Sequence, residues 1–172
     1  MNVPFQLLIS EHEIKTKLIQ VCKQLDVDYR NETVVLVMVM KGSLCLVSDL
    51  IRNVHFPVIL EYVSASSYGG KGTERGELTL KGIDAMNVEN QHVLLVDDIF
   101  HSGETISQIR ASLVKRHPKS IKTLVLLLKN LPRDITQLPD YHLFEVGDQF
   151  VVGYGMDYKE LYRGFPGVYV FN

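Results

Sequence analysis

The sequence predicts an α/β fold, a parallel central sheet with helices on both faces. Three observations carry this. The runs Thr33–Met40, Val93–Val96 and Ile121–Leu128 are apolar and rich in β-branched residues, as strands buried on both faces are. Segments with helical spacing alternate with those runs, which is the pattern of parallel strands joined by crossover helices. Polar residues also stand at the carboxyl ends of the runs: Lys41-Gly42, Asp97-Asp98 and Lys129. In an open parallel sheet that edge is where ligands bind.

The elements follow in order. Ser10 and Glu13 form an S-x-x-E capping box, and Ile14, Leu18, Val21 and Leu25 recur at helical spacing, so a helix is expected from about Glu11 to about Leu25. A polar turn around Asp28–Glu32 leads into the first apolar run. After Met40-Lys41-Gly42-Ser43 a second helix is expected, with Leu44, Val47, Ile51 and Val54 on one face. Pro57–Val63 reads as the next strand. The stretch Ser64–Gly76 holds four glycines and several small polar residues, too little apolar surface for a core, so it reads as a mobile surface loop. Glu77–Leu80 reads as a short strand beside it. A third helix starts at Ile106, with Ile109 and Leu113 on the same face. Lys119-Ser120 turns the chain into the strand Ile121–Leu128, and Asn130–Asp140 is a loop with two prolines.

With 172 residues, 46% hydrophobic and 22% charged, the chain suits one domain with a real core. A formal net charge of -2 gives no electrostatic reason to expect nucleic acid. Cys22 and Cys45 stand far apart, form no metal-ligand cluster and fit a reducing compartment as small apolar residues. No signal peptide and no membrane-length apolar run is read, so a cytoplasmic location is expected.

The chemistry concentrates in His92–Ile106. The strand ends in two carboxylates, followed by Ser102, Gly103, Glu104 and Thr105 at the start of a helix. Free N–H groups at a helix start suit a phosphate, glycine permits close approach, and the hydroxyls add donors. Paired acids repel phosphate, so Asp97 and Asp98 are expected to accept hydrogen bonds from a diol or to hold magnesium. A phosphate with a diol nearby describes a ribose 5-phosphate. Lys41 with Gly42 suits pyrophosphate, and Lys129 can donate to a carbonyl oxygen.

This segment resembles the phosphoribosyl-pyrophosphate motif of the type I phosphoribosyltransferases: an apolar run, two acids, two apolar residues, Asp, Ser or Thr, Gly and, two positions on, Thr. The chain departs from it once, with His101 in the place of the aspartate. The resemblance covers nearly the whole chain and is closest to the hypoxanthine-guanine enzymes. It implies a core of about residues 8–135 and a small hood from the chain ends, about 1–7 and 136–172. It implies that Ser67 and Tyr68 belong to a lid over pyrophosphate, that Lys41 and Gly42 bind pyrophosphate with a cis peptide at Met40–Lys41, and that Arg163 meets the same group. It further implies that Lys129 contacts a purine 6-oxo group, that Phe150 stacks on the purine, that Val151 offers it backbone groups, and that Asp157, with Asp97 and Asp98, holds magnesium. His101 becomes the candidate base, since a neutral imidazole accepts and returns a proton.

The activity so implied is transfer of a phosphoribosyl group to hypoxanthine or guanine in purine salvage, by a homodimer or homotetramer. Two other readings share the fold. One is a nucleotide-sensing, RNA-binding regulator of the pyrimidine-attenuator type with uracil phosphoribosyltransferase side activity, which also departs from Asp at this position. The other is a catalytically silent scaffold. The segment Phe150–Tyr158 and the lack of a basic surface signal argue against the regulator.

Overall fold

The computed structural model describes residues 5–67, 78–130 and 138–171. In chain order its elements are β1 (Phe5–Ile9), α1 (Glu11–Asp28), β2 (Val34–Met40), α2 (Leu44–Ile51), β3 (Val58–Ser67), β4 (Leu78–Lys81), a short 3₁₀ turn (Ile83–Ala85), β5 (His92–Phe100), α3 (Glu104–Val114), β6 (Ser120–Lys129), β7 (Tyr141–Val146), β8 (Val151–Val152) and β9 (Val168–Phe171).

A six-stranded sheet has the order β4-β3-β2-β5-β6-β7. All its neighbours run parallel except β4, which pairs antiparallel with β3 at the edge. The alternation along β2 divides the core. Val34, Leu36 and Met38 face α1 and α2, packing with Ile14, Leu18, Leu25, Leu46, Val47 and Leu50. Val35, Val37 and Val39 face α3 and the 3₁₀ turn, packing with Ile106, Ile109, Leu113 and Ile83. Both faces are therefore covered, which explains why β2 and β5 read as unbroken apolar runs.

The α1 capping box forms as expected. The Ser10 hydroxyl accepts from the Glu13 N–H at 3.2 Å, and the Glu13 carboxylate accepts from the Ser10 N–H at 2.8 Å. A cap of this kind is worth about 1 kcal/mol. Cys22 is buried in the same helix, and burial pushes its thiol up to about 11.

Three expectations are corrected. The buried face of α2 is Leu46, Val47 and Leu50, while Leu44 and Ile51 are exposed and Val54 lies beyond the helix end. This short helix is apolar on more than half its circumference, so spacing alone does not fix the inward face. β3 runs on to Ser67 instead of yielding to a loop at Ser64, because β4 pairs with it from Ser64↔Lys81 to Ser67↔Leu78 and satisfies its backbone. The large sheet extends past residue 135, since β7 pairs parallel with β6 from Leu124↔Tyr141 to Lys129↔Val146.

A second, three-stranded antiparallel sheet has the order β1-β9-β8 and joins the two ends of the chain, with Phe5 opposite Phe171. No described helix is long and apolar enough to cross a membrane.

Candidate active site

Parallel register brings the carboxyl ends of β2, β5 and β6 to one edge. Met38 pairs with Val96, and Phe100 with Leu128. The residues just beyond these pairs are Lys41-Gly42, His101–Thr105 and Lys129. The segment 148–163, which includes β8 of the small sheet, meets them through Asp148, Gln149, Gly155 and Glu160.

Asp97 sits near the end of β5 and is buried. Its carboxylate accepts from the Asp98 N–H at 2.9 Å, and Asp98 accepts from the Ile99 N–H at 2.8 Å. Burial, and then the neighbouring charge of Asp98, holds the Asp97 carboxyl well above the usual carboxylate range. Such a group favours a hydroxyl donor or a cation as its partner.

The loop after β5 leads directly into α3. Gly103 is the N-cap of α3 with φ of +77°, a left-handed conformation in which glycine avoids a Cβ clash. No side chain caps the helix there, although the Glu104 N–H lies 3.4 Å from the Ser102 hydroxyl. A small cavity of about 80 Å³ opens at this helix start, lined among others by Asp97, His101, Ser102, Gly103, Glu104 and Thr105. Its size and donors suit a phosphate group.

Two glycines let the sheet edge and the 148–163 segment meet. A methyl group at Gly42 would lie 1.7 Å from Asp98 Oδ2. At Gly155, which has φ of +101°, a methyl group would lie 2.1 Å from the Gly42 carbonyl oxygen. The Lys41-Gly42 loop is thus clasped between the β5 carboxylates and the later segment. The Met40–Lys41 peptide is cis. Tyr154, buried beside this contact, donates its hydroxyl to Asp49 of α2 at 2.6 Å, and burial together with that carboxylate pushes its phenol upward.

Lys129 is only 4% exposed, so its ammonium is not a solvated surface charge. Its ammonium donates to the Gln149 carbonyl. Burial lowers its pKa, partly offset by the charge of Asp148. Phe150 is 52% exposed, so it is no core residue. Its ring meets Tyr158 edge-on at 5.8 Å, leaving it part of a surface aromatic group with Phe171. Val151 lies in β8 opposite Val170, at the outer edge of the small sheet.

His101 is exposed, and its Nε2 lies 3.6 Å from Asp148 Oδ1. Arg163 donates to the Gly155 carbonyl at 2.8 Å and pairs with Asp157 at 2.8 Å and Glu160 at 3.2 Å. Lys41 pairs with that same Glu160 oxygen at 3.0 Å. Asp157 also accepts the Glu160 N–H, at 2.8 Å.

The expected trio Asp97, Asp98 and Asp157 does not assemble as a metal cluster. Among the described residues no three His, Cys, Asp or Glu side chains come together that way. Asp157 is instead engaged by Arg163. Ser67 ends β3. Tyr68 and most of the expected lid lie outside the described residues. Reading the sequence missed Asp148 and Glu160. Each pairs with a residue far away in the chain, and that pairing leaves no local pattern.

The fold and this edge have counterparts among known proteins. Residues 8–159 match the family model described as phosphoribosyl transferase domain. The hypoxanthine phosphoribosyltransferase of Salmonella typhimurium is 37% identical, over 98% of this chain and 96% of that protein. This chain belongs to the hypoxanthine-guanine phosphoribosyltransferase family. The Aquifex aeolicus enzyme of that name is 36% identical, over 96% of this chain and 93% of its own length. A crystal structure of a hypoxanthine-guanine phosphoribosyltransferase from Bacillus anthracis superposes with a TM-score of 0.89 at 33% identity, covering 96% of this chain and 97% of the other. These relatives are named as transferases, and the regulator reading finds no support in them.

Proposed function

We propose that this chain transfers the phosphoribosyl group of phosphoribosyl pyrophosphate to hypoxanthine, and to guanine, giving a purine nucleotide and pyrophosphate. One observation carries the reading. A buried lysine, an uncapped helix start and Lys41 at one sheet edge face an exposed aromatic ring and Arg163 of the segment 148–163. That matches a 6-oxopurine, a 5-phosphate and a pyrophosphate, each with a complementary partner.

In this reading Lys129 donates to the purine 6-oxo group, Phe150 stacks on the ring, and Val151 and Asp157 meet its edge. Asp97 and Asp98 accept the ribose hydroxyls. Ser102, Gly103, Glu104 and Thr105 surround the 5-phosphate. Lys41, Gly42, Ser67, Tyr68 and Arg163 take the pyrophosphate.

Purine N9 attacks the anomeric carbon, the bond from that carbon to pyrophosphate oxygen breaks with its electron pair, and His101 takes the proton from N7. Fixed donors that meet charge as it develops on the leaving group lower the barrier. Magnesium, when bound, would supply positive charge against the charge that develops on the leaving pyrophosphate. Asp97, Asp98 and Asp157 are the carboxylates that would hold it. A single domain, assembled as a homodimer or homotetramer, goes with this reading, and sedimentation measures the assembly.

A spectrophotometric assay with phosphoribosyl pyrophosphate, magnesium and each of hypoxanthine, guanine, xanthine, adenine and uracil tests the proposal. Turnover of hypoxanthine with rejection of adenine and uracil is expected. Consumption of uracil alone would favour the regulator.

A further inference from the structure

The two cations assigned to pyrophosphate already share an anion. One oxygen of Glu160 lies 3.0 Å from Lys41 Nζ and 3.2 Å from an Arg163 guanidinium nitrogen. A carboxylate oxygen held between an ammonium and a guanidinium reproduces what a terminal phosphate oxygen would do there.

The backbone holds this acid in place against its own preference. Lys159, Glu160 and Tyr162 have φ of +51°, +65° and +72°, left-handed values that cost free energy for side chains other than glycine. Two local features keep the turn closed. The Glu160 N–H donates to Asp157 at 2.8 Å, and Tyr158 and Leu161 exchange backbone hydrogen bonds of 3.1 and 3.0 Å. Strain of this kind persists only where surrounding contacts over-determine it.

The bridge is also exchangeable. The side chains of Lys41 and Glu160 are 59% and 66% exposed, so the pair is a surface ion pair and weak. A buried structural bridge would resist replacement; an exposed one resists it less.

We propose that Glu160 is an internal counter-anion that occupies the pyrophosphate site between Lys41 and Arg163 and must be displaced when pyrophosphate enters. It keeps two cations together without ligand, and it weakens the hold on pyrophosphate enough for the product to leave. The inference rests on the assignment of Lys41 and Arg163 to pyrophosphate made above.

The test is calorimetric binding of magnesium pyrophosphate to the full chain, as wild type and as the Glu160→Gln, Glu160→Ala and Lys41→Met variants. A surface ion pair offsets binding modestly, so loss of the two pairs should tighten the dissociation constant by about two- to tenfold in both Glu160 variants. Binding of ribose 5-phosphate, which lacks the pyrophosphate, should stay the same. Lys41→Met should weaken magnesium pyrophosphate. Unchanged or weaker pyrophosphate binding in both Glu160 variants, with Lys41→Met still weakening it, overturns the inference and leaves the site assignment standing. Equal binding by wild type and Lys41→Met overturns both.

Discussion

At His101 an imidazole stands where the resembling motif has a carboxylate, 3.6 Å from Asp148. In the proposed role of base, the two side chains would do the same work under different conditions. In model peptides an imidazole titrates near pH 6.5 and an aspartate near 3.9, and only the unprotonated form can accept the N7 proton. His101→Asp should therefore move the acid limb of the pH–rate profile to lower pH. His101→Ala should lower kcat by about 10²-fold while leaving the Michaelis constant for phosphoribosyl pyrophosphate nearly unchanged. Wild-type turnover in the Ala variant would remove His101 from the mechanism.

Asp97 illustrates the opposite balance. Its pKa in the folded chain is raised by burial and by Asp98, so the folded state binds a proton that the unfolded state gives up. The resulting stability is present below the unfolded carboxylate range and is lost as pH rises through the folded value. Asp97→Asn keeps an oxygen for the Asp98 N–H and carries no charge. It should melt higher than wild type at pH 7 to 8, with the difference shrinking toward pH 4. The same variant should bind phosphoribosyl pyrophosphate more weakly, a stability gain that costs function. Melting curves across pH read the first effect, and a melting point at pH 8 no higher than wild type would show that the buried charge is not a net burden.

At the scale of elements, the α3 start and the Lys41-Gly42 loop carry separable roles. Thr105→Ala removes one donor from the α3 start and should weaken phosphoribosyl pyrophosphate by about 1.5–3 kcal/mol, read as a higher Michaelis constant with the fold intact. Gly42→Ala puts a methyl group where Asp98 Oδ2 now lies, 1.7 Å away, so the carboxylate must move. A displacement of this order in a positioned group should lower kcat/KM by about 10²-fold. Activity within twofold of wild type would mean that Asp98 is not held in a working position.

Elements differ in how far the sequence disclosed them, for physical reasons. β2 and β5 were legible because both their faces are buried, which demands an unbroken apolar run. α1 was legible from its cap and its period. β1 and β9 were not, because they are short and pair with each other across almost the whole chain, Phe5 with Phe171, which leaves no local signal. The α2 face was misread because apolar residues surround most of that helix. The junction of β5 and α3 could be read because strand, acids, glycine and helix start are contiguous. The pairings His101–Asp148 and Glu160–Lys41 could not, because folding alone brings those residues together.

At the scale of the whole molecule, the site is a seam. The large sheet supplies Lys41, Asp97, Asp98 and Lys129, and the later segment supplies Phe150, Asp157 and Arg163. The two sides are joined by the Gly42–Gly155 contact, the Tyr154–Asp49 hydrogen bond and the Lys41–Glu160 pair. A ligand that touches both sides should hold the folded chain together more than one that touches a single side. A nucleotide present at 100 times its dissociation constant stabilises the folded state by about 2.7 kcal/mol. In a chain of this size each kcal/mol shifts Tm by roughly 2–4 °C, so inosine monophosphate should raise Tm by about 5–11 °C. Adenosine monophosphate at the same concentration should do much less, because its 6-amino group cannot accept from the buried Lys129 ammonium, which would lose a partner. Lys129→Met should erase most of the difference between the two nucleotides. Equal shifts from both in the wild-type chain would place the purine elsewhere and leave Lys129 to its bond with the Gln149 carbonyl.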